Sequence, residues 1–291
     1  MPDSSEGIVP AEAITNKKGI VPIKVIPTGP VSPAHKRDAA LAYAKGQILA
    51  FIDDDAYPAR DWLKQAVKNF SDPTIAAVGG PAVTPSADSL RQKAGGCVYS
   101  SLLVSGGFIY RYLPKKTRYV DDYPSCNFLV RRSIFEQLGG FNTEFWPGED
   151  TKLCLKITKD LGKEIIYDPA VLVFHHRRPL FIPHLKQIAN YALHRGYFVK
   201  RYPQTSLKLP YFVPTLFILA LIAGAALSLY SQLFRAIYFF CLILYLSLVF
   251  IFSISKELRL IPLVFPGIIL THLAYGFYFS KGLLTKKLRD E

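Results

Sequence analysis

The apolar last third of the chain constrains its architecture more than any other feature. Three stretches of bilayer-spanning length, Tyr211–Tyr230, Ala236–Ser255 and Leu260–Phe279, are dominated by Leu, Ile, Phe, Ala and Tyr. A membrane-spanning helix needs about 20 apolar residues, so each stretch is a candidate span. The third contains Pro262 and Pro266, and it predicts a kinked span, a re-entrant hairpin or an interfacial helix.

The charge distribution also indicates association with a membrane. The 291 residues include 35 Lys and Arg against 22 Asp and Glu, a formal charge of +13, which suits nucleic acid, anionic lipid or phosphorylated ligands. We find no zinc-finger spacing or RNA-binding aromatic motif, so no nucleic-acid partner is expected. Basic residues instead flank the apolar stretches, as at the cytoplasmic ends of membrane helices: Lys200, Arg201, Lys208, Lys256 and Arg259.

The compartment follows from the cysteines and the first residues. Four cysteines form no C-x-x-C pair, and the N-terminal residues have no apolar core typical of a signal peptide. We therefore expect a multi-pass protein of the plasma (inner) membrane with its soluble half in the cytoplasm. Three spans would leave the basic tail outside, whereas two spans plus a surface segment would keep it inside.

The first 180 residues alternate strand-like and helix-like segments, which predicts an α/β layer architecture. Ile48–Ile52 is a continuous apolar run typical of a central strand buried on both faces. Further strands are expected at Ile75–Val78, Asn127–Val130 and Ile165–Phe174, and helices at Pro33–Ala44, Trp62–Phe70, Arg132–Leu138 and Thr151–Leu161.

An amphipathic helix is expected between residues 185 and 199. Apolar residues fall on one stripe, and a polar stripe includes Lys186, His194 and Arg195. Such a helix beside membrane spans either lies in the headgroup region or packs on the soluble domain, and both interpretations remain open.

Three aspartates follow the Ile48–Ile52 strand. Asp53 and Asp55 are two residues apart, so they point the same way along an extended backbone. Neighbouring carboxylates repel and are readily held by a cation, and their oxygens suit Mg²⁺ or Mn²⁺. Acidic strand-to-helix turns without a metal are also common.

Two further clusters carry reactive side chains. Glu149 and Asp150 precede a predicted helix, where they act either as ordinary N-terminal residues or as a base for an acceptor hydroxyl. Asp168-Pro169 leads to a strand and then to His175, His176 and two arginines. This segment supplies either a metal-binding histidine and phosphate-binding arginines or a basic patch facing headgroups.

In this order, the motifs resemble family 2 glycosyltransferases. The resemblance covers roughly residues 2–180, and the apolar stretches are similar to those of members that build exopolysaccharide or lipid-linked glycans. The segments that carry it are Lys36–Ala40, Asp53-Asp54-Asp55-Ala56-Tyr57-Pro58, Asp61-Trp62-Leu63, Cys126–Arg132, Gly139-Gly140-Phe141, Gly148-Glu149-Asp150 and Tyr167–His175.

The resemblance implies a glycosyltransferase A-type fold and an inverting transfer from a nucleotide-sugar donor to a membrane-associated, lipid-linked or glycan acceptor. It implies Asp150 as general base and Glu149 as the residue that orients base or acceptor. Asp53, Asp55 and His175, with His176 as second choice, would hold Mg²⁺ or Mn²⁺. Nucleotide contacts would come from Asp3, Lys36, Arg37 and Asp53.

The sequence departs from that family in two places. No Q-x-x-R-W motif follows His175, which favours transfer of one or few sugars. Met1–Gly7 is similar to the family's second strand segment, so we expect the first strand and helix to be missing. The expected divisions are a catalytic domain (1–179), an interfacial helix and linker (180–209), two to three spans (210–280) and a basic tail (281–291).

Two rival functions are compatible with these residues. Paired aspartates with Mg²⁺ also serve metal-dependent phosphotransferases and nucleases, although these need further carboxylates for a second metal. A catalytically degenerate nucleotide-binding membrane protein is the other alternative.

Overall fold

The computed structural model describes residues 24–288, where a mixed α/β layer is followed by long apolar helices. The strands are β1 (Ile48–Ile52), β2 (Ala56–Pro58), β3 (Ile75–Gly79), β4 (Ala82–Val83), β5 (Arg118–Val120), β6 (Asn127–Arg131), β7 (Glu164–Tyr167) and β8 (Val173–His175). The helices are α1 (Pro33–Leu41), α2 (Trp62–Asn69), α3 (Leu90–Tyr99), α4 (Leu102–Ser105), α5 (Arg132–Gln137), α6 (Glu149–Leu155), α7 (Ile182–Arg201), α8 (Pro203–Ser206), α9 (Leu209–Leu227), α10 (Gln232–Ser253) and α11 (Ile261–Leu284). The predicted α/β class is confirmed.

A five-stranded sheet in the order β1-β6-β3-β7-β5 forms the centre of the soluble half. Only β3 and β7 run parallel, and the other neighbours are antiparallel. Side chains of β6 alternate between the two faces: Phe128 and Val130 join one core cluster, and Leu129 joins the other with Trp62 of α2. Full burial of such a side chain contributes about 1.5–3 kcal/mol.

Two strand predictions need correction. Among the described residues β1 pairs on one side only, with β6, and its Ala50 is exposed, so β1 is buried less completely than its apolar run predicted. The predicted strand Ile165–Phe174 is two strands, because the chain turns after Asp168, where the backbone N–H of Val171 bonds back to the Asp168 carbonyl at 3.1 Å. Pro169 has no N–H with which to continue a ladder.

The turn between β7 and β8 matters because it creates a second, three-stranded sheet in the order β2-β8-β4. Asn127 ties the two sheets together. It is fully buried, accepts a 2.9 Å bond from the Trp62 indole, and donates to the carbonyls of Gly80 (2.6 Å) and Val171 (2.7 Å). These bonds satisfy polar groups that would otherwise be costly to bury.

The amphipathic segment is the 20-residue helix α7, and its polar stripe does not face solvent as a whole. His194 is buried, and Arg195 turns inward to the soluble half. The other side of α7 lies against α11 in the most extensive helix contact of the described chain. The two backbones approach closely there, since a Cβ on Gly196 would lie 2.2 Å from the Phe279 carbonyl oxygen, and one on Gly282 would lie 2.1 Å from that of Leu193.

Three helical segments are long and apolar enough to cross a membrane: Leu209–Leu227, Gln232–Ser253 and Leu258–Leu284. The third differs from the others in its packing, because the segments at both of its ends contact helices that precede the spans in the chain. Before it, Glu257 pairs with Lys93 of α3 at 2.7 Å. After it, the Thr285 carbonyl accepts a 2.6 Å bond from Lys200 of α7.

Candidate functional site

The first part of the site is the turn between β1 and β2. Asp54 is exposed, whereas Asp53 and Asp55 are partly buried. Antiparallel pairing of β2 with β8 places His175 opposite Ala56, and therefore beside Asp55. The His175 Nε2 lies 2.8 Å from the Asp55 Oδ1, and Asp53, Asp55 and His175 each offer an atom within 4.8 Å of the others.

The His175 ring is fixed from behind by Arg177. The Arg177 Nη1 lies 3.0 Å from the His175 Nδ1. A guanidinium can only donate, so Nδ1 accepts and Nε2 carries the proton that it donates to Asp55. Burial acts to raise the pKa of Asp55, but the bond from His175 and the charge of Arg178 lower it below its usual value. Asp55 is therefore ionised at neutral pH.

Glu149 and Asp150 are the first residues of α6, across from the turn that carries Asp53 and Asp55. We call the space between these two segments the cleft. The preceding Gly148 has φ of +124°, a conformation that L side chains rarely adopt, and a Cβ there would lie 2.5 Å from the Phe198 ring. The turn directs Glu149 into the interior and leaves Asp150 at the cleft, where the Ser125 backbone N–H donates to its Oδ2 at 3.3 Å.

Arg37 joins the two carboxylate pairs. From α1 its guanidinium donates to the Asp53 Oδ1 at 2.7 Å and to the Glu149 Oε1 at 2.9 Å. Helix α1 is held in place by Asp38, which accepts from the backbone N–H groups of Phe141 (2.8 Å) and Asn142 (3.0 Å). One cation therefore bridges two acidic segments separated by almost a hundred residues in sequence.

Cys126 shows the closeness of these groups electrostatically. Burial raises the pKa of its thiol to about 12, and the negative charges of Asp53, Asp150 and Asp55 all act in the same direction. The thiol therefore stays protonated and is not a nucleophile at neutral pH. The carboxylates of both segments face one shared space.

Asp150 has the pKa of a group that exchanges protons near neutrality. Burial raises its pKa to about 7, and the charges of Glu149 and Asp122 contribute to the rise. A base with a pKa near the working pH is effective in proton transfer.

The comparisons with known proteins agree with this geometry. Residues 7–139 match the family model described as glycosyl transferase family 2. This part of the chain, which includes Asp53 and Asp55, is therefore similar to family 2 glycosyltransferases. It is 32% identical over 146 residues to the pre-mycofactocin glycosyltransferase of Mycobacterium tuberculosis, covering 50% of this chain and 30% of that protein. It is 30% identical over 152 residues to the uncharacterized protein y4gI of Sinorhizobium fredii, covering 48% of this chain and 16% of that protein.

The chain thus spans less than a third of the length of these curated relatives. Within the chain, the family 2 match ends at Gly139, before Glu149, Asp150 and His175. Their assignment to the site therefore depends on geometry: His175 bonds to Asp55, and Glu149 is joined to Asp53 through Arg37.

The donor set fits a divalent cation of the Mg²⁺ or Mn²⁺ class. Asp53 and Asp55 offer hard oxygen ligands, and their side chains remain 31% and 29% exposed, which leaves room for water and phosphate oxygens. His175 fits less simply, because Arg177 occupies Nδ1 and the ligating Nε2 would have to release its proton. Within residues 24–288 no second group of three His, Cys, Asp or Glu side chains is arranged to hold a metal.

The other predicted residues are placed as follows. Lys36 is exposed on α1, and Asp3 lies outside the described residues. The His176 side chain contacts Asp88 and not the Asp53 and Asp55 pair. Arg177 is buried between Tyr99 and Tyr112, at 5.6 and 5.1 Å from their ring centroids, so the predicted phosphate-binding role is wrong for it.

Asp122 and Arg195 are the site residues that sequence reasoning missed. Asp122 is buried below the start of α6, and its carboxylate meets Arg195 at 3.0 Å and Arg111 at 3.5 Å. Burial acts to raise the pKa of Asp122, but these arginines lower it to about 2. The signal was weak in sequence, since an Asp in a loop and an Arg on a polar stripe are both ordinary surface residues.

Proposed function

We propose that this chain transfers a sugar from a nucleotide-sugar donor to a membrane-associated acceptor, a lipid-linked glycan. The observation that carries the proposal is the proximity of the two acidic segments, since Arg37 bonds to both Asp53 and Glu149, and the charges of Asp53, Asp55 and Asp150 all act on the Cys126 thiol. The family 2 match and the pre-mycofactocin glycosyltransferase support the reaction class. Synthesis of a polysaccharide or glycoconjugate is the corresponding process.

In the proposed reaction the acceptor hydroxyl oxygen forms a bond to the anomeric carbon as the bond from that carbon to the diphosphate oxygen breaks. The electron pair leaves with the nucleoside diphosphate, and the hydroxyl proton passes to Asp150. A single displacement of this kind inverts the anomeric centre. Asp53 and Asp55 would hold a divalent cation, which would act as a Lewis acid and neutralise charge on the leaving diphosphate.

The protein side chains divide the remaining work. Asp53 contacts the ribose, Arg37 and exposed Lys36 attract donor phosphates, and Asp3 belongs to the nucleotide side of the site. Glu149, which is buried and bonded to Arg37, orients the base or the acceptor. Positive charge next to the carboxylates favours an anionic donor over a neutral sugar.

The acceptor class rests on the membrane side of the chain. We propose that α9 and α10 form a spanning hairpin and that α11 lies in the membrane surface. A helix of 24 residues is about 36 Å long, so a span would carry its ends to opposite sides, whereas the segments at its two ends contact α3 and α7, which both precede the spans. This topology leaves only Arg235 near the hairpin loop and collects the other flanking cations on the cytoplasmic side.

The topology is tested with single cysteines in a cysteine-free background and a membrane-impermeant maleimide on intact cells. Ser231→Cys, in the hairpin loop, should be labelled from outside. Lys287→Cys and the matched Lys256→Cys should be labelled only after the cells are opened. Outside labelling of Lys287→Cys would establish three spans.

The function is tested by Asp150→Asn in purified membranes supplied with a panel of nucleotide sugars. Transfer should fall by about 10²–10⁴-fold, because the base is lost while the side chain keeps its size. Donor binding should change little. Glu144→Gln is the control, since that carboxylate is exposed and pairs with His35 at 3.2 Å.

Undiminished transfer by Asp150→Asn would remove the proposed base. Donor binding without transfer in the unaltered protein would favour a degenerate nucleotide-binding protein. Release of phosphate or transfer of a phosphoryl group in place of the sugar would favour the phosphotransferase alternative.

A further inference from the structure

A buried ion pair lies directly beneath the proposed base. The Asp122 Oδ1 accepts from the Thr151 hydroxyl at 3.0 Å, and its Oδ2 accepts from the Arg195 guanidinium at 3.0 Å. Thr151 follows Asp150 in the chain, and its backbone N–H bonds to the Asp150 Oδ1 at 2.7 Å. The ion pair and the base are thus connected through one residue.

Arg195 connects this pair to the membrane helices. The same guanidinium reaches the Thr151 hydroxyl at 3.4 Å and the Ser206 hydroxyl at 3.5 Å, in the short helix that precedes α9. Its centre lies 4.9 Å from the ring centroid of Tyr211, in the first turn of α9. One side chain on α7 therefore contacts the helix that carries the base and the entrance to the first candidate span.

A simple structural staple does not account for the composition of this cluster. Buried ion pairs pay a large desolvation cost, and apolar residues of similar size often stabilise a fold as well or better. Arg195 here makes directional bonds to Asp122, to Thr151 next to Asp150, and to Ser206 at the approach to α9. Such bonds fix orientation, which an apolar cluster would not do.

We propose that Asp122 and Arg195 are positioning residues that set the orientation and the proton affinity of Asp150, and that they couple this setting to the seating of α9. The inference rests on the proposed function, because it takes Asp150 to be the base. Seating α9 places Ser206 and Tyr211 around Arg195, Arg195 holds Asp122 and Thr151, and Thr151 holds the Asp150 carboxylate.

Proton affinity at Asp150 is set by groups from several elements. The negative charge of Asp122 favours the protonated form, and the positive charge of Arg195 favours the ionised form. The titratable and charged groups that face Asp150 are Glu149 and Cys154 of α6, Asp122, Cys126, Arg37 of α1, and Arg195 and Tyr191 of α7. Because the charges of Asp122 and Arg195 act in opposite directions on Asp150, removing one or the other should shift the pH profile in opposite directions.

The experiment measures transfer and donor binding against pH for the full chain in nanodiscs. Asp122→Asn keeps an acceptor for Thr151 and should move the acidic limb of the transfer profile to lower pH. Arg195→Gln should move it to higher pH. Arg195→Lys keeps the charge but loses the forked bonds, so it should leave the limb in place and lower the plateau at least tenfold. Asp121→Asn is the matched control, since that adjacent aspartate is 53% exposed and pairs with Lys208.

Opposite shifts of the acidic limb in Asp122→Asn and Arg195→Gln, with unchanged donor binding, would support the proposal. Equal losses at every pH in both variants, without a shift, would reduce the pair to a structural role and overturn it. If the two charge-removing variants fail to fold, Arg195→Lys decides, and a wild-type plateau in that variant overturns the proposal. A failure of the proposed function is distinguishable, because the unaltered protein would then transfer no sugar at any pH.

Discussion

The two sides of the cleft are built in contrasting ways. The Asp53 and Asp55 side lies on a turn and a small three-stranded sheet, keeps about a third of each carboxylate exposed, and is balanced by Arg37, His175 and Arg178. The Asp150 side lies at the start of a helix above buried ionic groups, with Asp122 only 5% exposed. An open side suits a ligand that brings its own charge and waters, and a closed side suits a proton transfer whose pKa must be controlled.

The largest expected effect would separate the two sides by their metal dependence. Asp53→Asn and Asp55→Asn should each weaken Mn²⁺ binding and lower transfer by at least about 100-fold, since a metal contributes several kcal/mol of charge stabilisation. Mn²⁺ binding is measured directly by electron paramagnetic resonance, with and without nucleoside diphosphate. Asp54→Asn is the control within the same triplet because that side chain is exposed.

Normal Mn²⁺ binding in both Asp53→Asn and Asp55→Asn would contradict the assignment of these two carboxylates as metal ligands. His175→Asn separates two possible roles of the histidine. A ligand role predicts weaker Mn²⁺ binding, whereas a role in holding Asp55 predicts retained binding with poorer geometry.

The next effect concerns the closed side and its pH dependence. Transfer should rise with pH and reach half its plateau near pH 7, because Asp150 must be ionised to accept a proton and its pKa is about 7. Below that point the rate should fall about tenfold per pH unit. The measurement is the initial rate of transfer at saturating donor from pH 5 to 9, and a half-point near pH 4 would contradict the closed environment.

The raised pKa of Asp150 also makes stability depend on pH, in the direction opposite to that of transfer. The folded protein holds the Asp150 proton more tightly than the unfolded chain, so this contribution to stability is present below the unfolded pKa. It is lost as the pH rises through about 7. As the pH rises through about 7, transfer should therefore increase while this contribution to stability is lost.

The smallest expected effect tests the turn that holds the closed side. Gly148→Ala should destabilise the protein by about 1–3 kcal/mol, because the backbone has a positive φ and the added Cβ meets Phe198. Thermal unfolding in detergent measures the change. Gly162→Ala is the matched control, with φ of +59° and nothing within 4 Å of the added Cβ, and it should cost about 1 kcal/mol. Equal costs at the two glycines would contradict the role assigned to the Phe198 contact.

The open side was predictable from sequence because it is local. Asp53 and Asp55 directly follow an apolar strand, which marked them as a pair. The predicted reason was wrong, because the backbone there is not extended: it forms a turn in which the Ala56 N–H donates to the Asp53 carbonyl at 3.1 Å. The approach of His175 needed pairing between β2 and β8, and the single predicted strand Ile165–Phe174 concealed the turn that makes this pairing possible. His175 was still named, through the family resemblance.

The closed side was less predictable because its contacts join distant segments. Asp122 and Arg195 are 73 residues apart, and neither has a local partner that would mark it. The helix pattern placed Arg195 on a polar stripe, and polarity alone does not distinguish water from a buried carboxylate. Likewise, the length of the third apolar stretch allowed a span, and only its end contacts favour the membrane surface.

The glycine seam between α7 and α11 limits where the molecule can bend. At Gly196 and Gly282 the two backbones leave no space for an added methyl group, and therefore none for a lipid chain or a file of water. The helix that carries Arg195 and helix α11 consequently move as one rigid unit. Gly276 holds α9 against α11 in the same way, because an added Cβ would clash with the Pro214 carbonyl and the Thr215 hydroxyl donates to the Gly276 carbonyl at 2.9 Å. The first candidate span is therefore joined to the same rigid unit.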